Sequence, residues 1–269
     1  MSIKMIVTDL DGTFYHRDLT YDKARFMRLY EKMKQQGIHF VVASGNQYYQ
    51  LISFFDEIKD ELTFVSENGA YIVDQGKELF STEIKKDTFN NILDVLDHYP
   101  SLLTIVCGKE SAYTLKNIKD EEYAFYINYF PRLKKEDSLH EIDDQILKFA
   151  LVANEDFEHV LSQLKQAVDD HISVVSSGHE DIDLIVKGIH KGNAVQMLMK
   201  QWHIKPEEVM AFGDAGNDEE MLRIAKYGYV MENGSPDLLA KFHRHAPHHE
   251  SDGVLEIIEQ YFNDPASIL

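Results

Sequence analysis

The sequence predicts an α/β protein: a parallel-sheet core split by an inserted α+β domain. Three observations carry this. Residues 3–66 alternate short apolar runs with amphipathic helical stretches, the rhythm of βαβ units. The same rhythm returns after Gly188. Between the two, the pattern turns to hairpins and unevenly spaced helices, as in a separate α+β layer. The expected division is a core of 1–82 and 188–269 with an insertion of 83–187.

The elements follow in order. The apolar run 3–10 ends in Asp-Leu-Asp-Gly, a buried strand running into a tight turn. Phe26, Leu29, Tyr30 and Met33 recur at helical spacing within 21–36, and Gly37 closes that helix. A second buried strand, 39–43, stops at Ser44-Gly45-Asn46. A helix near 47–55 and a strand at 63–66 continue the alternation. Residues 70–73 and 78–81 flank Asp74-Gln75-Gly76, a hairpin signal. The insertion reads as helix, strand, helix, helix, strand, helix and hairpin. Its last helix carries Phe157, Val160, Leu161, Leu164 and Val168 as one stripe, and its hairpin joins 172–175 to 182–186 across 177–180. A helix at 191–202, a strand at 209–212, a helix at 219–225, a strand at 229–231 and a closing helix at 254–261 complete the core.

The bulk numbers narrow the function. With 269 residues, 44% of them hydrophobic, the chain can bury a sizeable core. Its formal net charge of -19 argues against nucleic acid, which needs clustered Lys and Arg. An anionic substrate would need a local positive site against that field. The single cysteine, Cys107, lies in an apolar run and reads as a small core residue in a reducing compartment. No run is long and apolar enough for a membrane span, and the first residues lack a signal-peptide pattern. A cytoplasmic location is expected; oligomeric state is not legible. Adjacent His248 and His249 read as a surface loop, and Tyr48-Tyr49 as either core or site.

Chemistry gathers where apolar strands end, the usual place for sites in parallel sheets. Asp9 and Asp11 close the first strand, Ser44 the second, and Asp214 the strand after the insertion. Residues two apart on an extended chain point the same way. Two such carboxylates repel and call for a cation or a shared proton. With Asp214 beside them, Mg²⁺ suits the oxygen set. The tetrapeptide Asp-Leu-Asp-Gly alone would be an ordinary turn; a second acidic turn at Gly213-Asp214-Ala215-Gly216-Asn217-Asp218 makes the pair specific. Asp218 can hold a metal-bound water or brace Lys191, and Asn217 can donate to phosphate. Lys191 opens a helix, where a cation is locally unfavourable, which suggests a task of neutralising phosphate. Ser44, Gly45 and Asn46 offer a hydroxyl and N–H groups at a helix start, a weak anion signal by itself.

Together these segments resemble the haloacid dehalogenase (HAD) superfamily. Asp9-Leu10-Asp11-Gly12-Thr13, Ser44, Lys191 and Gly213-Asp214-x-x-Asn217-Asp218 match its four motifs in order. Glu67-Asn68-Gly69-Ala70 and the insertion resemble its Cof-type phosphatases, and the stretch from Val41 to Leu51 resembles their sugar-phosphatase branch. Many Cof-type members carry Arg where this chain has Asn46, so one positive charge fewer is expected there. The resemblance implies a Rossmann-like HAD core with a C2B-type cap, and a Mg²⁺-dependent phosphatase. It implies Asp9 as nucleophile and metal ligand, and Asp11 as acid and base with its carbonyl on Mg²⁺. It implies Asp214 as a further ligand, and Ser44, Asn217 and Lys191 as phosphoryl holders. The implied substrate is a small phosphate ester, first of all a sugar phosphate. A phosphomutase of the same superfamily and a non-catalytic regulatory protein remain alternatives.

Overall fold

The computed structural model describes residues 2–153, 157–178 and 181–268. In chain order the strands and helices are β1 (Met5–Thr8), α1 (Lys23–Gln35), β2 (His39–Ala43), α2 (Tyr48–Ser53), β3 (Thr63–Ser66), β4 (Tyr71–Asp74), β5 (Lys77–Ser81), α3 (Lys86–Leu96), β6 (Leu103–Gly108), β7 (Ala112–Leu115), α4 (Asp120–Tyr126) and β8 (Leu133–Glu136). There follow β9 (Ile146–Val152), α5 (Phe157–Ala167), β10 (Ile172–Gly178), β11 (Asp181–Val186), α6 (Lys191–Trp202), β12 (Val209–Gly213), α7 (Glu219–Ile224), β13 (Tyr227–Met231), α8 (Pro236–Lys241), β14 (His245–Ala246), α9 (Gly253–Asn263) and α10 (Pro265–Ile268).

The strands form two sheets. The larger runs β14-β13-β12-β1-β2-β3-β4-β5. From β14 to β3 it is parallel, and β4 and β5 add an antiparallel edge. The alternation along β1 explains its burial. Ile6 faces an apolar cluster with Phe26 of α1 and Ile258 of α9, whereas Met5 and Val7 face a second cluster with Val195 of α6 and Leu222 of α7. Both faces are covered, so the strand reads as a continuous apolar run. The β4–β5 turn is two residues, Gln75 and Gly76, with φ of 49° and 72°. Positive φ at both positions gives the turn the twist that antiparallel strands need.

The smaller sheet runs β10-β11-β9-β6-β7-β8 and comes wholly from the insertion. Helices α3 and α5 cover one face through Phe89, Ile92, Leu161 and Leu164, which pack on Phe149, Leu151, Ile182 and Leu184. Lys148 and Asp183 alternate with these residues and so emerge on the other face. That face is turned to the core, where the Lys148 ammonium donates to the Gly45 carbonyl at 2.7 Å. The insertion is thus a cap seated on the end of the large sheet.

Two cap strands depart from the expected order. β8 is Leu-Lys-Lys-Glu at the sheet edge with only Leu133 buried, and such charged edges hide the period-2 signal. β7 is four residues long and pairs parallel to β8, which no local turn announces. The β10–β11 hairpin is antiparallel as expected, while His179 and Glu180 of its turn lie outside the described residues. His249 is a correction: it is buried, with Nδ1 2.7 Å from the Tyr15 carbonyl, and not a surface-loop residue.

Candidate active site

The first strand sits between β12 and β2, so the chain leaves it in one direction and returns on the other side. The crevice at such a switch point, beyond the strand ends, is where α/β sheets bind ligands. Asp9 follows β1 and Asp214 follows β12. The Asp9 N–H donates to the Phe212 carbonyl at 3.1 Å, continuing the ladder into the loop. Gly12 turns the chain with φ of 70°, and a Cβ there would come 2.5 Å from an Asp214 carboxylate oxygen. Glycine is what lets the two acidic loops approach. The Thr13 hydroxyl then donates to Asp214 Oδ1 at 3.0 Å, and the Asn233 amide holds the Gly12 carbonyl at 2.7 Å.

Lys191 enters from the first position of α6 and is 1% exposed. Its ammonium donates to Asp9 Oδ1 at 2.8 Å and to Asp218 Oδ1 at 2.6 Å. Asp218 Oδ2 accepts the N–H groups of Asp214 and Ala215 at 3.0 and 3.1 Å. Asp218 therefore spends both oxygens on the turn and the lysine. Asp9 and Asp214 each keep a carboxylate oxygen free of protein donors among the described residues.

Oxygens of Asp9, Asp214 and Asp218 lie within 4.8 Å of one another. Burial pushes the Asp9 carboxyl well above its ordinary range; Lys191 opposes this, and Asp218, Asp214 and Asp11 reinforce it. Burial and Asp218 likewise push Asp214 up to about 7. For Lys191, burial works against the charge, but Asp218 and Asp9 outweigh it and hold the ammonium above its ordinary value. One ammonium does not balance these acids. A hard divalent cation held among these carboxylates would do so, and the all-oxygen donor set fits one.

The second strand end completes the surroundings. The Asn46 amide donates to Asp11 Oδ2 at 2.6 Å, and the Asn46 N–H donates to Ser44 Oγ at 3.1 Å. That N–H is thus engaged within its own loop, and α2 is only six residues long. The anion signal expected of a helix start therefore rests more on the Ser44 hydroxyl than on a helix dipole. Asn217 donates to Asn68 Oδ1 at 3.4 Å, and its own Oδ1 is buried without a partner among the described residues. Tyr48 packs edge-on against Phe64 and Tyr71, while Tyr49 lies under the Arg132 guanidinium of the cap, 3.4 Å from ring centroid to Cζ.

Several residues escaped sequence reasoning. Asn233 stands in a polar loop with nothing to mark it. Lys148 and Asp183 had a signal: each is a charge with apolar neighbours on both sides in its strand, Ile-Leu-Lys-Phe and Ile-Asp-Leu-Ile. Opposite charges in two such runs are best explained by pairing, and they meet at 3.0 Å.

A family model for haloacid dehalogenase-like hydrolases matches residues 6–258. The chain belongs to that family. It is 43% identical over 267 residues to the 5-amino-6-(5-phospho-D-ribitylamino)uracil phosphatase YbjI of Escherichia coli K12, covering 99% of this chain and 98% of the relative. It is 23% identical over 266 residues to the 5-amino-6-(5-phospho-D-ribitylamino)uracil phosphatase YitU of Bacillus subtilis, covering 96% of this chain and 97% of the relative. Its fold matches the crystal structure of SMU.1108c from Streptococcus mutans UA159 with a TM-score of 0.93, at 33% identity, over 98% of this chain and 100% of the other. As a member of the HAD-like hydrolases the chain is a phosphoric monoester hydrolase with a parallel-sheet core and an inserted cap. No helix among the described residues is long and apolar enough to cross a membrane.

Proposed function

We propose that this phosphatase removes the phosphate of a sugar or sugar-alcohol monoester through an aspartyl-phosphate on Asp9. The observation that carries the chemistry is the buried Lys191 bridging Asp9 and Asp218, with Asp214 beside them. Asp9 Oδ1 is held by the ammonium, which leaves Oδ2 as the attacking atom. An ionised aspartate needs no separate base, and a covalent intermediate divides one hard displacement into two easier ones. Asp9, Asp214 and the Asp11 carbonyl would hold Mg²⁺, which supplies charge neutralisation for the transferring oxygens.

Asp11 handles the protons. The Asn46 amide donates to its Oδ2 and orients the carboxyl. Oδ2 of Asp9 forms a bond to phosphorus as the ester oxygen leaves, and that oxygen takes the Asp11 proton. Asp11 then takes a proton from water, whose oxygen attacks phosphorus and frees Asp9 and inorganic phosphate. Lys191, Ser44 and Asn217 hold the phosphoryl oxygens, where preorganised donors contribute most of the rate in phosphoryl transfer. The seated cap keeps bulk water away.

The substrate class is supported by two lines. The sequence from Val41 to Leu51 resembles sugar phosphatases. The substrate for which YbjI and YitU are named carries its phosphate on a ribityl chain, a sugar alcohol. A primary phosphate on a polyhydroxylated chain satisfies both. The test is phosphate release with Mg²⁺ from 5-amino-6-(5-phospho-D-ribitylamino)uracil and from a panel of hexose and pentose phosphates, by wild type and Asp9→Asn. Turnover of one of these esters, abolished in the variant, supports the reading. Near-normal turnover by Asp9→Asn sinks the nucleophile, and activity confined to phosphates without a polyol sinks the substrate class.

A further inference from the structure

The cap contributes charge to the floor of the active site, not only a roof. Lys148 and Asp183 are each at most 3% exposed, although both are charged and neither belongs to the acid cluster around Asp9. Asp183 Oδ1 accepts from the Lys148 ammonium at 3.0 Å, and Asp183 Oδ2 accepts from the Asn68 amide at 2.6 Å. The Asn68 carbonyl oxygen accepts from Asn217 at 3.4 Å. At the other end, Lys148 donates to the Gly45 carbonyl at 2.7 Å. The chain of bonds therefore starts at Asn217, crosses into the cap, and returns to Gly45.

The core side of this circuit is held in an unusual backbone shape. Glu67, Asn68 and Gly69 have φ of 51°, 57° and 103°, left-handed conformations that cost energy for residues with a Cβ. The Asn68 N–H donates to the Ser44 carbonyl at 3.0 Å, and the Glu67 N–H donates to the Asn46 carbonyl at 3.1 Å. This turn is thus pinned to the Ser44–Asn46 loop by its backbone and to the cap by its side chains.

We propose that Lys148 and Asp183 are positioning residues that complete the phosphate cradle, fixing Asn217 and the Ser44–Gly45 loop in register when the cap is seated. They touch neither phosphate nor metal. They act through Asn68 and Gly45. This rests on the phosphatase reading above, since it needs Ser44 and Asn217 to hold phosphate.

The test uses the whole chain with Mg²⁺ and inorganic phosphate, which has no leaving group for the cap to read. Asp183→Asn leaves Lys148 a carboxylate partner in Glu67, 3.4 Å away, so charge stays balanced. Arg132→Ala removes a different cap–core contact, over Tyr49. Loss of a charge-assisted bond in the circuit is expected to weaken phosphate binding by calorimetry about tenfold in Asp183→Asn. KM should rise in parallel, with kcat within about threefold. Arg132→Ala is expected to keep wild-type phosphate affinity. The double variant Lys148→Met with Asp183→Asn, in which a protonated Glu67 leaves no net charge, should weaken phosphate further than Asp183→Asn alone, because the bond to the Gly45 carbonyl is lost as well; no further loss overturns the role of Lys148. Unchanged phosphate affinity in a folded Asp183→Asn, or equal weakening in Arg132→Ala, overturns the proposal. If wild type itself neither binds phosphate nor releases it from an ester, the phosphatase reading has failed instead.

Discussion

Replacing Glu67 by Gln should abolish a pH dependence of stability built into the junction of cap and core. Glu67 is 1% exposed. Burial raises its carboxyl; Lys148 opposes the rise and Asp183 adds to it, leaving it at about 7 against an ordinary 4.5. The folded protein therefore binds this proton more tightly than the unfolded chain. Its contribution is fully present below the unfolded value of 4.5 and is lost as pH rises through about 7. The gap corresponds to about 3 kcal/mol at about 1.4 kcal/mol per pH unit, most of it spent between roughly pH 5 and 8. Glu67→Gln keeps the shape, and Lys148 keeps Asp183 as its counter-ion. Urea unfolding of both proteins at pH 5, 6, 7 and 8 reads the effect. The stability of Glu67→Gln relative to wild type should climb by about 2 to 3 kcal/mol across that range. A difference that stays flat from pH 5 to 8 would refute a neutral buried Glu67 and the charge arithmetic of the cluster.

Three further outcomes follow from the acid cluster. Exhaustive chelation should remove turnover, and added Mg²⁺ should restore it; activity that survives chelation excludes the metal. Lys191→Met leaves Asp9 and Asp218 buried without their ammonium. It should cut kcat/KM at least a thousandfold and cost about 3 to 5 kcal/mol of stability by chemical denaturation, so a variant as stable as wild type contradicts the bridging geometry. Gly12→Ala combines a positive φ with a Cβ 2.5 Å from Asp214 and should lower stability by about 1 to 3 kcal/mol; an Ala variant with normal metal affinity and stability would show that the loops can part at no cost.

Much of the core was legible because its signals are local. Ile6 and Val7 announce a strand buried on both faces, and Gly37 ends a helix where the apolar stripe ends. The acids at 9, 11 and 214 were legible as strand-end residues. Asn46 was readable as a neighbour of the site but not as the donor to Asp11, because that bond depends on how β1 and β2 pair, and pairing register is not written in either strand alone. Asn233 was invisible for the same reason, being 221 residues from the carbonyl it holds. In the cap, Leu133-Lys134-Lys135-Glu136 lacks alternation because an edge strand needs charge more than burial. Lys148 and Asp183 were visible as misplaced charges, and only the seating of cap on core says what they meet.

The placement of β12 beside β1 has a consequence for how the molecule comes into being. Thr13 and Asp214 are 201 residues apart along the chain yet bonded side chain to side chain. During synthesis, β1, β2 and the whole insertion leave the ribosome before the strand that carries the third acid. A nascent chain can pair β1 with β2 and fold the cap early, but one flank of β1 stays open until β12 arrives. Because the entropy of closing a loop grows only with the logarithm of its length, each doubling costing about 0.6 kcal/mol, a large insertion there is a small thermodynamic burden and a long kinetic delay. The acid cluster is among the last features to assemble, so no truncated product ending before β12 can bring Asp214 and Asp218 to Asp9 and Lys191.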